Sequence, residues 1–465
     1  MRNGHRLPGI GHVLLGPFSG KRCLRRWANR HATRPIKSSW RDNNMFKLNT
    51  LFAAILAVSA TQAFANGSEA DVDQRGNANN ALVTQEGAKQ ISAVEQNGNN
   101  NIATTTQMSA WYLSGNSSSV YQGGNHNDAT VDQNGGRHQA AVNQWDNNQS
   151  AKVTQKGLGN ESTSGQWGGA HNTLVVEQSG VDNGSDIGQN GNRNEASVKQ
   201  RGSFDDSSVY QQGNHNQAIV DQFGLNGTSG ITQLGNHQVA SVMQRGVSND
   251  SAIDQNGNDN DVKVMQLGVS DNSYVYQQGN HNEADVKQAG LGGDSKISQW
   301  GNNHTAYLTQ TGTGNASDTE QRGDFNKSAV KQSGSYNDST IYQSGNRNTA
   351  ELAQSGRSNE SVIDQNGNHN EAVAKQAGTA GDIDLYQSGN GNFADIAQSG
   401  LDNDLTAKQY GNENRLIADQ SGSYNDATVF QSGASNLANL NQSGVNDFSS
   451  IAQAGHGNIA TVTQR

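Results

Sequence analysis

The chain has 465 residues, a net charge of −10 at pH 7, 32% hydrophobic residues, 55 Gly, three Pro and a single Cys. One cysteine excludes a disulfide framework, and the acidic balance argues against binding nucleic acid or an anionic membrane surface. Taken alone, so polar a composition suggests disorder.

Residues 1–44 hold the only Cys (Cys23), all three Pro (Pro8, Pro17 and Pro35) and ten Lys or Arg against one acid, Asp42. They do not share the pattern that follows. They read as a gene-start artefact or a disordered basic segment, with translation beginning at Met45. Residues 45–65, MFKLNTLFAAILAVSATQAFA, carry Lys47, an apolar run from Leu51 to Val58, and Ala63-Phe64-Ala65 as a small-residue cleavage site. That is the anatomy of a secretory signal peptide, too short for a spanning helix. The mature chain is then expected to be residues 66–465. Removing the eleven basic residues and one acid before Asn66 leaves 21 basic and 41 acidic residues, a net charge of −20. This part has no Cys, no Pro to interrupt a backbone ladder, and no apolar run long enough to cross a membrane.

From Gln74 onward, Gln returns every eleven residues to Gln464, in 36 places, with one step of 15 (Gln107 to Gln122) and one of 12 (Gln166 to Gln178). Four residues before alternate Gln stands Ser (Ser185, Ser207, Ser229, Ser251), while the intervening arms mostly carry Ala (Ala196, Ala218, Ala240), so the true period is 22. Each arm reads small, x, aliphatic, x, Gln, as in Ser207-Val209-Gln211 and Ala218-Val220-Gln222. Alternation with period two is the strand signal. After each Gln come x-Gly and a polar stretch rich in Asn, which reads as a turn.

A single strand-turn-strand unit buries too little to offset the entropy of ordering it. Stacking about 18 such rungs at about 4.8 Å each rescues it, giving an all-β solenoid about 85 Å long with cross-β, amyloid-type stacking. The expected stacking core is Gln189, Gln200, Gln211, Gln222, Gln277, Gln288, Gln343 and Gln354, with Asn194, Asn216, Asn282 and Asn348, around Val198, Val209, Val220, Val275, Val286 and Ile341. Gly191, Gly213, Gly279 and Gly345 are read as turn glycines, and the buried amides as ladders that bond to their own copies. Val72 and Gln74 at one end, and Val462 and Gln464 at the other, already belong to ordinary arms. Uncapped strand edges template further pairing, so these residues are the expected polymerising ends.

The pattern Gln-x-Gly-x-x-Asn-x-Ala-x-x-x-Gln, met at Gln189-Gly191-Asn194-Ala196-Gln200, Gln211-Gly213-Asn216-Ala218-Gln222, Gln277-Gly279-Asn282-Ala284-Gln288, Gln343-Gly345-Asn348-Ala350-Gln354 and Gln365-Gly367-Asn370-Ala372-Gln376, resembles the curlin repeat of bacterial curli subunits. The resemblance covers nearly the whole chain after residue 65. It implies a subunit of an extracellular functional amyloid fibre, exported unfolded across the outer membrane through a curli secretion channel. Such a subunit is assembled at the cell surface with itself and a companion subunit, and supports adhesion and biofilm matrix. The chain is an expanded relative. Its ending, Thr461 to Arg465, looks like the minor, nucleating type, its length suits the major type, and the Gly-rich leader of the major type is missing. Major against minor stays open.

The competing reading is a monomeric secreted adhesin or surface-binding solenoid. It would want capping elements and an attachment tail, which are not seen; an ice-binding face would want matched outward Thr pairs. No catalytic constellation, cofactor or metal site is expected, because Ser and Asp abound for the sake of the repeat and no base is set beside a nucleophile. His126, His215, His281 and His369 read as turn fillers. Tyr121, Tyr210, Tyr276, Tyr342 and Tyr386 precede Gln and should face outward, open to a surface or a neighbouring fibril. Asp221, Lys199, Lys287, Lys331 and Lys375 read as charges that keep the sheet faces soluble. The insertion near Trp111 to Gly115 reads as a turn bulge.

Overall fold

A computed structural model describes residues 67–109 and 114–465. The expected artefact segment and signal peptide, and the Trp111 end of the insertion, lie outside the described residues. In the rest, 36 strands follow one another, β1 to β36 in chain order, from β1 (Glu69–Arg75) and β2 (Asn80–Glu86) to β35 (Phe448–His456) and β36 (Ile459–Gln464). No helix is present among the described residues.

Odd-numbered strands form one parallel sheet and even-numbered strands the other. Each odd-even pair makes one rung, so the solenoid has 18. The strand Asp206–Asn214 shows why the residues fold this way: Ser207, Val209 and Gln211 are buried while Asp206, Ser208, Tyr210 and Gln212 are not. Period-two alternation places small, aliphatic and amide side chains on one face, and the two sheets bring those faces together. Ser fills the small column of the odd sheet (Ser207, Ser229, Ser251) and Ala that of the even sheet (Ala196, Ala218, Ala240). The 22-residue period is therefore the difference between the two sheets.

Register is exact in type at every step. Gln189 pairs with Gln211 and Gln211 with Gln233 in the odd sheet; Gln200 pairs with Gln222 and Gln222 with Gln244 in the even sheet. The 15-residue step does not split the stack. β3 (Ile91–Asn99) pairs with β5 (Ser117–Asn125) in the register Gln96 to Gln122, and β4 (Ile102–Met108) with β6 (Asp128–Gly136) in the register Gln107 to Gln133. The 12-residue step is taken up in the turn after Trp167, where Gly168 has φ +72°, and Gln155 still meets Gln178. In the even sheet β2 pairs with β4, and β36 with the strand Leu437–Gln442, each having one neighbour among the described strands. Among the described residues both sheets are thus open stacks, with the first and last rungs each paired on one side.

Candidate functional site: buried amide ladders and two open end rungs

The eight expected Gln residues are all at most 2% exposed and form two files, Gln189, Gln211, Gln277 and Gln343 in the odd sheet and Gln200, Gln222, Gln288 and Gln354 in the even sheet. Each amide donates to the next copy: Gln189 Nε2 to Gln211 Oε1 at 2.9 Å, Gln200 to Gln222 at 2.9 Å, Gln277 to Gln299 at 2.8 Å and Gln343 to Gln365 at 2.8 Å. The second N–H crosses the interior to a carbonyl at the start of the opposite strand, as from Gln211 to Glu195 O at 3.0 Å. Both donors of a buried amide are therefore satisfied, which removes the penalty such a group otherwise carries. Val198, Val209, Val220, Val275, Val286 and Ile341 are at most 1% exposed and stack beside the files as one core.

Later rungs of the buried Asn columns show the expected ladder, Asn359 donating to Asn337 Oδ1 at 3.0 Å and Asn436 to Asn414 Oδ1 at 3.0 Å, but the four expected residues work differently. Asn194 does not rest on the side chain of its copy: its Oδ1 accepts the backbone N–H of Asn216 at 3.1 Å, and its Nδ2 donates to Gly213 O at 2.9 Å. Asn282 and Asn348 likewise donate to Gly301 O and Gly367 O, each at 2.9 Å. Asn216 donates to Gly235 O at 2.8 Å. These residues are turn staples between rungs. A second Asn file, two residues earlier, also bonds side chain to side chain: Asn214 to Asn236 at 2.8 Å, Asn236 to Asn258 at 2.9 Å, Asn258 to Asn280 at 3.0 Å. The recurrence of Asn three residues after Gln could have signalled it.

The turn glycines are also reassigned. Gly191, Gly213, Gly279 and Gly345 have φ of +119°, +122°, +122° and +107°, but they lie inside strands, at the bend before the turn. A Cβ on Gly213 would sit 1.8 Å from Gly235 O, so the position is reserved for Gly by the approach of the next rung as much as by φ. The left-handed turn residue itself is two places on and is not Gly: Arg193, His215, His281 and Arg347 there have φ between +54° and +59°.

His126, His215, His281 and His369 all occupy that turn position, as expected of turn fillers. The column also holds His237, which the sequence reading passed over. Its ring stacks on His215 at 4.9 Å, and His237 and His281 flank the Asp259 carboxylate at 3.9 and 3.7 Å. Among the described residues no group of three or more His, Cys, Asp or Glu is placed to hold a metal ion. Tyr121, Tyr210, Tyr276, Tyr342 and Tyr386 all stand on the outer face of the odd sheet, where Tyr121 meets Trp145 at 4.4 Å, Tyr276 meets Trp300 at 5.7 Å and Tyr386 meets Tyr410 at 5.3 Å. Lys199, Asp221, Lys287, Lys331 and Lys375 stand on the outer face of the even sheet, Lys199 beside Glu177 at 3.3 Å and Asp221 beside Arg201 at 3.4 Å.

The odd sheet also carries a like-charge file, Asp338, Glu360, Asp382, Asp404 and Asp426, on five successive rungs. Desolvation, then Asp404, Glu360 and Asp384, push the Asp382 carboxyl up to about 6. Its charged form is disfavoured in the fold. The contribution of this group to stability is thus complete below the ordinary carboxylate range and lost as pH rises through about 6. Asp382→Asn is expected to remove that part of the loss and raise stability at pH 7 by about 1 kcal/mol after allowance for solvent screening. Denaturant midpoints of the two proteins at pH 4 and pH 7 check it; a gap as large at pH 4 as at pH 7 would contradict the assignment.

At the ends, Val72 and Gln74 stand on the odd sheet, whereas Val462 and Gln464 stand on the even sheet. The two pairs therefore do not face one another along the stack. Continuing the register by one rung places Ile451 and Gln453 against Val72 and Gln74 of a following copy, and Val462 and Gln464 against Val83 and Gln85. The Gln files are polar, each amide donating towards the C-terminal rung. The last rung therefore presents amide donors on Gln453 and Gln464, and the first rung amide acceptors on Gln74 and Gln85.

A family model described as the curlin associated repeat matches the chain at residues 65–90, 124–157, 169–202, 206–235, 240–268, 257–290, 312–345, 345–378, 379–411, 411–444 and 433–465. Among curated proteins none matches the chain.

Proposed function

The chain belongs to the curlin-repeat family, and from that premise we propose that it is the structural subunit of an extracellular, curli-like amyloid fibre that grows by end-to-end stacking of folded solenoids. Family and fold are structural rather than enzymatic in character. The observation that carries the reading is the complementarity of the two end rungs. Amide donors and an Ile-Val pair at the C-terminal rung meet amide acceptors and a Val-Val pair at the N-terminal rung, in the same parallel register that joins every rung inside the chain. Joining two like ends would set donor against donor or acceptor against acceptor. Growth is therefore polar, with one kind of junction.

In this reading the fibre lies outside the cell, at the surface, and serves adhesion and biofilm matrix. The chain reaches that place unfolded through an outer-membrane secretion channel, with a companion subunit as its partner in nucleation. The test is assembly of residues 66–465 diluted from denaturant, followed by thioflavin T fluorescence and fibre diffraction. A lag abolished by preformed seeds, with reflections near about 4.7 and about 10 Å, is expected. A folded β-rich monomer that stays soluble and ignores seeds would replace the fibre with the solitary adhesin.

A further inference from the structure

The buried turn staples include two fully enclosed carboxyls. At half the rungs of the column that enters the odd strands the residue is Asn. Its Nδ2 donates to the carbonyl of the residue four before it and to that of the Gly nineteen after it: Asn249 to Arg245 O at 3.4 Å and Gly268 O at 3.2 Å, Asn315 to Thr311 O at 2.9 Å and Gly334 O at 3.4 Å. At positions 205, 271 and 447 the residue is Asp; Asp447, on the last rung, is half-buried and its Oδ2 accepts the N–H of Gly444 at 3.0 Å, whereas Asp205 and Asp271 are each 1% exposed. One carboxylate oxygen keeps the column's pattern, accepting the backbone N–H of the next rung: Gly227 to Asp205 Oδ1 at 2.9 Å and Gly293 to Asp271 Oδ1 at 3.0 Å. The other, Oδ2, is fully buried without a hydrogen-bond partner in both residues. It occupies the place where the repeat puts an N–H aimed at two carbonyl oxygens, those of Arg201 and Gly224 for Asp205, and of Leu267 and Gly290 for Asp271.

No cation compensates. Asp205 is bracketed along the column by Asn183 and Gly227, and the interior amides beside it are Gln200, Gln222 and Gln244. The guanidinium of Arg201 is turned outward to Asp221 at 3.4 Å, and Asp206, the next residue, faces the outer surface of the odd sheet. Asp271 lies between Asn249 and Gly293, beside Gln266, Gln288 and Gln310, with Ser270 and Asn272 as chain neighbours. The outward acids of the neighbouring rungs, Asp250 and Asp294, would only repel a charge here.

We propose that Asp205 and Asp271 are held in the folded solenoid as neutral carboxylic acids, each O–H standing in for the missing amide N–H and donating to a carbonyl oxygen, so that closure of these two rungs is gated by protons. Burial pushes both carboxyls above the ordinary range, and the N–H bonds from Gly227 and Gly293 offset this only in part. The sign follows: folding takes up a proton at each site, the stability is complete below the ordinary carboxylate range, and it is lost as pH rises through the folded value. The inference rests on the solenoid and not on its polymerisation, and its readouts apply to monomer and fibre alike.

The test compares residues 66–465 with the Asp205→Asn/Asp271→Asn variant, both prepared in the same state, by denaturant titration from pH 4 to pH 8 and by infrared spectroscopy of the carboxyl stretch. Asn supplies a permanent donor. Equal stabilities are expected at pH 4. At pH 7 the variant's folding equilibrium is expected to be at least about tenfold more favourable. A protonated-carboxyl band at pH 7 in the parent should weaken in the variant and persist in Asp382→Asn. Equal stability at pH 7, or a variant less stable throughout, overturns the proposal. So does a parent spectrum with only ionised carboxylates, which would mean that both sites carry buried charge.

Discussion

The double variant Ser450→Pro/Thr461→Pro is expected to fold as the parent does and to stop fibre growth. In the last complete pairings, outward residues donate their backbone N–H to the following rung: Leu437 N to Asn458 O at 2.8 Å, Ser443 N to Gln464 O at 3.0 Å, and Asp426 N to Asp447 O at 2.9 Å. By the alternation of a parallel ladder, the outward residues Ser450 of β35 and Thr461 of β36 aim their N–H groups away from the stack, at the place of the next copy. Proline there removes no bond inside the solenoid, which is why edge strands tolerate it, but it deletes one ladder bond per sheet and sets a ring against the incoming strand. Elongation should slow by at least about a hundredfold, on the order of 3 kcal/mol per added copy. The unchanged N-terminal rung of the variant should still dock on a growing parent fibre, so small amounts should terminate parent fibres. Seeded thioflavin T kinetics with mixed chains read both effects. Undiminished growth with normal circular dichroism would show that fibres do not form by stacking on this face.

Gly213→Ala is expected to be among the most damaging single changes a methyl group can make in this chain. The residue has φ +122°, and the added carbon would lie 1.8 Å from Gly235 O and 2.7 Å from its carbon, both backbone atoms fixed by two ladders. Nothing at the end of a flexible side chain can give way. Relief requires the two rungs to part, which also breaks the staple from Asn194 to Gly213 O and that from Asn216 to Gly235 O. A loss of about 3 kcal/mol or more is expected from strain and parted bonds together. Gly230→Ala is the control. Gly230 has no atom within 4 Å of an added Cβ, and its φ lies outside the left-handed region. Its replacement should change stability by less than about 0.5 kcal/mol and in the stabilising direction, because Ala narrows the unfolded ensemble. Denaturation midpoints of the two variants, measured in the proline background to keep the protein monomeric, separate them. Comparable losses would mean that the bend at Gly213 is not held as tightly as the geometry requires.

What could be read from residue types was whatever repeats with the backbone's own period. Ser207-Val209-Gln211 alternates by two, so its burial, its strand and its register all follow from spacing, and the eleven-residue return of Gln made the stack the only way to satisfy so many amides. The roles of single polar positions were harder. Asn194 and Asn214 are the same residue type two places apart in corresponding arms, yet one staples backbone and the other forms the amide file. The distinction depends on which way the chain turns between them. Asp205 and Asp271 were invisible for the same reason: an Asp among many Asn in a turn looks solvated until the column shows that it takes a buried place.

The rung, the number of rungs and their parallel register were legible in the residues alone, because these follow from a local period and from the need of buried amides and strand edges to find identical partners above and below. Which sheet each end residue stands on, which glycines are reserved by a neighbouring rung, and which carboxyls are enclosed emerged from the packing of the two sheets. Val72 and Gln74, and Val462 and Gln464, were the expected polymerising ends; the first pair stands on the odd sheet and the second on the even sheet, so the proposed junction also needs Gln453 and Gln85. Those outcomes turn on contacts between residues 19 to 22 places apart, set by where two sheets close on each other, and no spacing read along one chain direction contains that distance.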